Sequence, residues 1–422
     1  MNKKLKHLFK KLGPGFITGA SDDDPSGIAT YTQAGAQFGF GQLWVMIATL
    51  PFMIVIQEMC GRVGLVTGQG LAGVMKRHYS RPLLAFCVGL LLIANTINIG
   101  ADLGAMAAAT QLLVPQVSFS VLIFLFTFLT LTLEIFISYK VYVNYLKYFA
   151  LSLLAYFVTA FVVQVSWNEV FATIVRPSIV FTREYLLNII ALLGTTISPY
   201  LFFWQTDEEV EEEIAAHKLK DFGVGKPKIN SLDVHQMRLD TVFGMFFSNV
   251  ITFFIIVTAA STLGVHGITN IETAADAAAV LKPLAGNFTS LLFTLGIVGT
   301  GLLAVPVLAG SASYAVAESF DWKEGLYRKF SQAHGFYGVI TIATVVGLVV
   351  NFIDIPPFKM LYYTAVVNGA IAPILMIVIL RIANNKKVMG HHTNSMFSNV
   401  SGLIITFIMG GAGLGLLWTM IF

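Results

Sequence analysis

The sequence predicts an all-α membrane protein: two five-helix halves of opposite topology, then an eleventh helix, with helices 1 and 6 unwound in mid-membrane. Three observations lead there. The 422-residue chain is 56% hydrophobic and only 12% charged, against about 25% charged residues in a soluble domain. Its apolar stretches recur at the roughly 20-residue length a spanning helix needs. Two of them are interrupted at corresponding places, one by Asp22-Asp23-Asp24-Pro25-Ser26-Gly27 and the other by Thr195-Thr196-Ile197-Ser198-Pro199-Tyr200.

Hydropathy places spans near 14–38 (broken), 41–64, 82–110, 118–138, 142–166, 184–213 (broken), 239–263, 285–318, 336–353, 359–380 and 398–421. Basic residues test that count, because cytoplasmic connections carry the excess of Lys and Arg. Of the 26 Lys and Arg, 22 lie in or beside the N-terminus and the connections 2–3, 4–5, 6–7, 8–9 and 10–11. Only Arg176, Arg183, Lys282 and Lys359 fall on the other side. The expectation is a multi-pass protein of the plasma membrane, N-terminus cytoplasmic and C-terminus outside. No small-residue cleavage site follows the basic start MNKKLKHLFKK, so it reads as a retained cytoplasmic segment.

Residues 1–422 read as a single transmembrane transporter domain. Repeat one covers about 14–166, repeat two about 184–380, and the extra helix about 398–421. Five being odd, the repeats are inverted, the plan of LeuT-like transporters, whose sites lie where discontinuous helices meet near the midplane. The symmetry rests on break positions and helix number, since the halves share no visible similarity.

Several classes are excluded. No Gly-rich phosphate loop, zinc-ligand spacing or nucleophile elbow occurs, so neither an enzyme nor a nucleic-acid partner is expected. The glycines of GIVGTGLLAVPVLAG (296–310) follow no strand and suit close helix packing or a kink at Pro306. Cys60 and Cys87 both fall in apolar segments, which argues against a disulfide framework. No cofactor is implied, the lipid bilayer and a transported ion being the expected partners, and a monomer is expected.

The breaks carry the chemistry. Pro25 lacks an N–H and disfavours helical geometry at Asp24, and Gly27 adds freedom. Carbonyls freed at that depth are tolerated only in a cavity or buried in protein, and a carboxylate there is a functional-site hypothesis by default. Asp24 is best placed to face the break, with Ser26 and Gly27 as small neighbours. Asp22 and Asp23 read as lining the pathway, against the plainer reading of an interfacial turn. In the second break Gly194 and Pro199 loosen the helix, exposing carbonyls around Thr195 and Thr196, while Ser198 offers a hydroxyl. The plainer reading of Ser198 is a hydroxyl that satisfies the backbone at a kink.

Neither break holds a Met, Cys or His. Carboxylates, carbonyls and water suit Mg²⁺ and Mn²⁺, whereas soft metals favour thioether, thiolate or imidazole. Mg²⁺ keeps several waters and touches one or two carboxylates. All eight histidines fall in termini, loops or span ends, so a buried histidine relay is not expected. Asp102 in span 3, near Asn95 and Asn98, is either a relay or a packing residue. Asn368 in span 10 is a helix–helix hydrogen bond or a pathway residue. Glu58 and Glu134 read as interfacial. The acidic run Asp207, Glu208, Glu209, Glu211, Glu212 and Glu213 reads as a helix end emerging into cytosolic water, a cation-attracting vestibule being the alternative.

With these motifs in view, the chain resembles the NRAMP family of divalent metal transporters. The resemblance is clearest in GPGFITGASDDDPSGIATYTQAGAQFGFGQLW (13–44), GRVGLVTGQGLA (61–72) and the second break. It implies alternating access and a cation at the junction of helices 1 and 6. The departures are at the chemistry. Asp24-Pro25 keeps the acid and proline of the family's Asp-Pro-Gly-Asn motif, but Ser26 and Gly27 replace its Gly and metal-binding Asn. Ser198 stands where the metal-binding Met would be and Tyr200 where the His would be, while Thr195 occupies the position of a ligand carbonyl. Asp102 matches a family acid, Ala105 replaces the Glu one turn on, and Ala365 falls where a Gln is usual. These changes resemble the NRAMP-related magnesium transporters. The implied activity is passage of Mg²⁺ or Mn²⁺ as a largely hydrated ion, without proton coupling. The alternative is a LeuT-like symporter of a small organic solute such as an amino acid.

Overall fold

In the computed structural model, residues 13–137, 151–353 and 355–421 are described, and they are almost wholly helical. The first span is two short helices, α1 (Pro14–Asp22) and α2 (Pro25–Phe38). α3 (Leu43–Thr67) follows, then the short α4 (Leu71–His78) and the long α5 (Arg81–Gln111) and α6 (Phe119–Phe136). Of the fifth expected span, residues 142–150 lie outside the described residues, as does the basic start 1–12. The described part is α7 (Leu154–Val162), and α8 (Trp167–Val175) leaves it at 117°. Sequence analysis had no helix at α8.

The second half opens with α9 (Arg183–Thr196) and α10 (Pro199–Ala215). It continues through α11 (Ser231–Thr262), α12 (Thr289–Phe320), α13 (His334–Val350) and α14 (Pro357–Ala383) to α15 (Met396–Ile421). α11 starts before its apolar run because Asn230 and Asp233 form a reciprocal capping box that satisfies its first N–H groups. Among the described residues, eight helices are long and apolar enough to cross a membrane, with the α9–α10 pair counted as one. The α1–α2 pair, α13 at 17 residues and the partly described fifth span account for the difference from eleven.

The two halves of helix 6 sit centrally, with 83% of their most apolar window buried, against 33% for α6 and α15. Phe128, Phe136 and Phe407 point outward, as lipid-facing side chains do. α1 lies on α11 at backbone contact. A Cβ at Gly15 would come within 2.6 Å of the Thr241 nitrogen, and one at Gly19 would strike the Gly244 carbonyl. This small-xxx-small stripe is what lets two helices approach so closely in lipid. Asp240 on α11 then accepts the N–H groups of Gly13, Gly15 and Phe16 at 3.0, 2.7 and 3.2 Å, capping the start of α1. Cys60 and Cys87 are buried and unbridged.

Candidate cation site at two helix breaks

The two breaks share one local plan. Each leaves two residues out of helical geometry ahead of a proline that opens the next helix: Asp23-Asp24-Pro25 and Ile197-Ser198-Pro199. Proline cannot donate to the carbonyl four residues back, which orphans Ser21 in the first break and Thr195 in the second. Both carbonyls find a hydroxyl. Tyr200 donates to the Ser21 oxygen at 2.9 Å, and Ser198 donates to the Thr195 oxygen at 2.8 Å and to Gly194 at 2.6 Å. Buried backbone acceptors need such partners.

This revises the expectation for the second break. Thr195 and Thr196 remain helical, and their own hydroxyls bond back to the carbonyls of residues 191–193. The Ser198 hydroxyl is turned onto the backbone, the plainer of its two readings. Tyr200, expected beside the pathway, ties the second break to the first.

The acids of the first break divide between two neighbours. Asp24 caps α2, its Oδ1 accepting Ser26 Oγ at 2.6 Å and the Gly27 N–H at 2.7 Å, while Asn98 of α5 donates to Oδ2 at 3.1 Å. Asp22 and Asp23 turn toward α11. Ser248 donates to Asp22 Oδ2 at 2.8 Å and to Asp23 Oδ1 at 3.3 Å, and Thr252 reaches Asp23 Oδ1 at 3.3 Å. One further oxygen on each, Asp22 Oδ1 and Asp23 Oδ2, has no hydrogen-bond partner among the described residues. All three aspartates are at most 2% exposed, so the interfacial-turn reading does not hold.

Asp102 follows Asn98 by one turn on α5, on the same face. It is fully buried, and neither carboxylate oxygen has a partner among the described residues. Tyr200 lies within electrostatic reach of Asp22, Asp24 and Asp102 together. Tyr31 is fully buried, its hydroxyl close to Thr195 and Thr252. Both breaks, α5 and α11 therefore converge on one buried, oxygen-rich centre. Asn368 is buried on α14, where Gly369 packs against Gly194 of α9, beside the second break rather than on the acids.

Sequence reading missed Ser248 and Thr252 and gave Asn98 no role. The signal was available: Ser248, Asn249 and Thr252 form a polar stripe at helical spacing inside an apolar span. One other expectation is corrected, and two acids near helix ends gain surroundings. Glu134, two residues from the end of α6, is buried, with neither oxygen partnered among the described residues. Glu58 is held by Arg62 and Arg238 at 2.9 and 2.8 Å. The acidic run does not emerge into water: α10 continues to Ala215 packed among α1, α3, α4 and α12, and Asp207, Glu208, Glu209, Glu211 and Glu213 are at most 8% exposed.

A helical membrane protein whose first and sixth helices unwind around buried acids has the LeuT-like plan, in which discontinuous helices meet at one centre. Solved structures agree on the fold. A manganese transporter from Eremococcus coleocola, in complex with an aromatic bis-isothiourea substituted compound, superposes at a TM-score of 0.74 and 15% identity, covering 98% of this chain and 87% of its own. The nucleobase-cation-symport-1 transporter Mhp1, in a closed conformation, superposes at 0.59 and 13% identity, covering 97% and 93%. The family model described as natural resistance-associated macrophage protein-like matches residues 15–419, and the chain belongs to that Nramp family. A divalent metal cation transporter MntH from Clostridium acetobutylicum is 24% identical, over 96% of this chain and 90% of its own. One of the same name from Yersinia enterocolitica is 25% identical, over 97% and 95%.

Proposed function

We propose that this chain carries divalent cations across the plasma membrane by alternating access, with Mg²⁺ and Mn²⁺ as substrates held between the two helix breaks. The observation that carries the reading is the concentration of buried carboxyl groups there without a basic partner. Asp22, Asp23, Asp24 and Asp102 are all buried, and no Lys or Arg pairs with any of them among the described residues. Buried charges at that depth need a counter-ion.

In this reading Asp24 supplies the direct charge, with Ser26, Gly27 and the Thr195 carbonyl as small neutral neighbours reaching the ion directly or through water, and Ser198 bracing that carbonyl. Asp22, Asp23, Asp102, Thr196, Tyr200 and Asn368 line or support the path. The absence of a soft ligand from both breaks favours an ion that retains much of its water. The ion gradient and membrane potential drive transport. Two charges crossing the full field gain roughly 4.6 kcal/mol per 100 mV, so no proton gradient is required. The protein acts as a monomer, N-terminus in the cytoplasm and C-terminus outside, with repeats at about 14–166 and 184–380 and an extra helix at 398–421.

Uptake into liposomes at fixed voltage, with internal pH recorded, tests this. Mg²⁺ and Mn²⁺ should enter without acidification. Preferential Cd²⁺ entry with acidification would overturn both the substrate and the coupling assignments.

A further inference from the structure

A second pair of buried carboxylates lies away from the breaks. Asp207 sits nine residues beyond Ser198 on α10, about 13 Å along the helix axis. Glu318 comes from the last turns of α12, and the two meet over Gly70, in the turn between α3 and α4. A Cβ at Gly70 would strike Asp207 Oδ1 and fall 2.5 Å from Glu318 Oε2, so the two carboxylates are neighbours across a space no larger than a methyl group. The Gly70 and Gly73 N–H groups, both at 2.7 Å, orient Glu318. Asp207 has nothing comparable. It is fully buried, and neither of its carboxylate oxygens has a partner among the described residues.

The basic side chains around the pair leave Asp207 unpaired, although Lys76 donates to the Glu318 backbone carbonyl at 3.3 Å and the Arg77 charge acts on the Glu318 carboxyl. Lys76 pairs with Asp321 at 2.6 Å, Arg77 donates to the Gly223 carbonyl at 3.1 Å, and Arg328 pairs with Asp221. A third acid lies beside them: Glu324, just past α12, is buried with Oε2 unpartnered. Burial, then the charges of Glu318 and Asp221, push its carboxyl up to about 10. Like charges this close and this dry cannot all stay ionised without a compensating cation.

We propose that Asp207 and Glu318 form a second divalent-cation site, on the flank of the pathway that the Lys- and Arg-rich connections mark as cytoplasmic. This inference rests on the transport reading above. Two unit charges favour a dication over a monovalent ion. Among the described residues no three His, Cys, Asp or Glu side chains form a ready ligand cage. The ion is therefore held by one or two carboxylates and completed by its own water, as Mg²⁺ usually is. Gly70 is part of the site because any side chain there occupies the space between the two acids.

Mn²⁺ binding to the purified full-length protein, read as ions bound per chain, tests the pair. Wild type should bind two. Asp207→Asn and Gly70→Ala should each bind one, and Asp24→Ala should bind one at a different affinity. The double variant Asp24→Ala/Asp207→Asn should bind none. Thermal unfolding of each variant reads folding independently, and Asp207→Asn, which relieves repulsion, should unfold no earlier than wild type. If wild type binds one ion that Asp207→Asn keeps, the pair is closed by a shared proton alone and the proposal is overturned. If Asp24→Ala loses no ion while Asp207→Asn loses one, this site stands and the assignment of Asp24 fails.

Discussion

The Tyr200 hydroxyl donates to the carbonyl of Ser21 at 2.9 Å, joining the two unwound helices at the oxygen that Pro25 leaves without its N–H partner. The contact is buried on both sides, so its loss strands an acceptor where water cannot replace the donor. Tyr200→Phe keeps the ring and removes only the donor. It should cost about 1–3 kcal/mol and lower the midpoint of thermal unfolding in detergent. An unchanged midpoint would mean another donor takes over the Ser21 carbonyl.

Asp24 both caps α2 and places charge in the break. These roles separate in Asp24→Asn, because Asn caps a helix about as well as Asp. The variant should fold with near wild-type thermal stability yet lose Mn²⁺ and Mg²⁺ uptake in proteoliposomes by at least about a hundredfold, since the attraction of a carboxylate for a dication is gone. Uptake near the wild-type rate would remove Asp24 from the ion's path.

Ser248 and Thr252 hold Asp22 and Asp23 against α11. Hydrogen bonds to charged groups contribute about 1.5–3 kcal/mol. The pair Ser248→Ala/Thr252→Ala should therefore raise the Mn²⁺ concentration for half-maximal uptake by on the order of tenfold while the maximal rate changes less. A loss of maximal rate at constant half-saturation would assign these hydroxyls to helix packing instead of ion binding.

Outside the spans, Asp221 joins the connection after α10 to the one after α12 through Tyr327 Oη at 2.6 Å and the Arg328 guanidinium. Burial alone would raise its carboxyl, but these partners outweigh burial and hold it below the usual carboxylate range. A carboxyl depressed in the folded state stabilises above its unfolded value and loses that contribution as pH falls through the folded one. The tie should hold at neutral pH and release below about pH 4. Protection factors, which divide out the slower intrinsic exchange in acid, should fall in residues 216–230 and 321–333 on acidification, and Asp221→Asn should show the lowered factors already at neutral pH. Equal protection in both proteins at neutral pH would show that the tie holds nothing in place.

Much of this architecture is legible residue by residue. Pro25 and Pro199 each announce an interrupted helix and an unserved carbonyl four positions earlier, because proline's missing N–H is a covalent fact independent of surroundings. Apolar lengths and the placement of Lys and Arg likewise carry the span pattern, since lipid enforces both locally. The acidic run on α10 misleads for the same reason. A hydropathy reading sends charge to water, whereas here the helix carries its carboxylates inward among α1, α3, α4 and α12.

What the chain alone determined is where helices break and which oxygens lie in the breaks. Which distant donor answers an oxygen was decided only in three dimensions, by how each helix is rotated against its neighbours. Gly15, Gly19 and Gly244 let α1 and α11 meet backbone to backbone, and that contact turns Ser248 and Thr252 toward Asp22 and Asp23. Asn98 reaches Asp24 across 74 residues of sequence, and Asp207 finds Glu318 over Gly70. Spacing along one strand of sequence encodes a helix's own periodicity, but the angle at which two helices pack is a joint property of both surfaces.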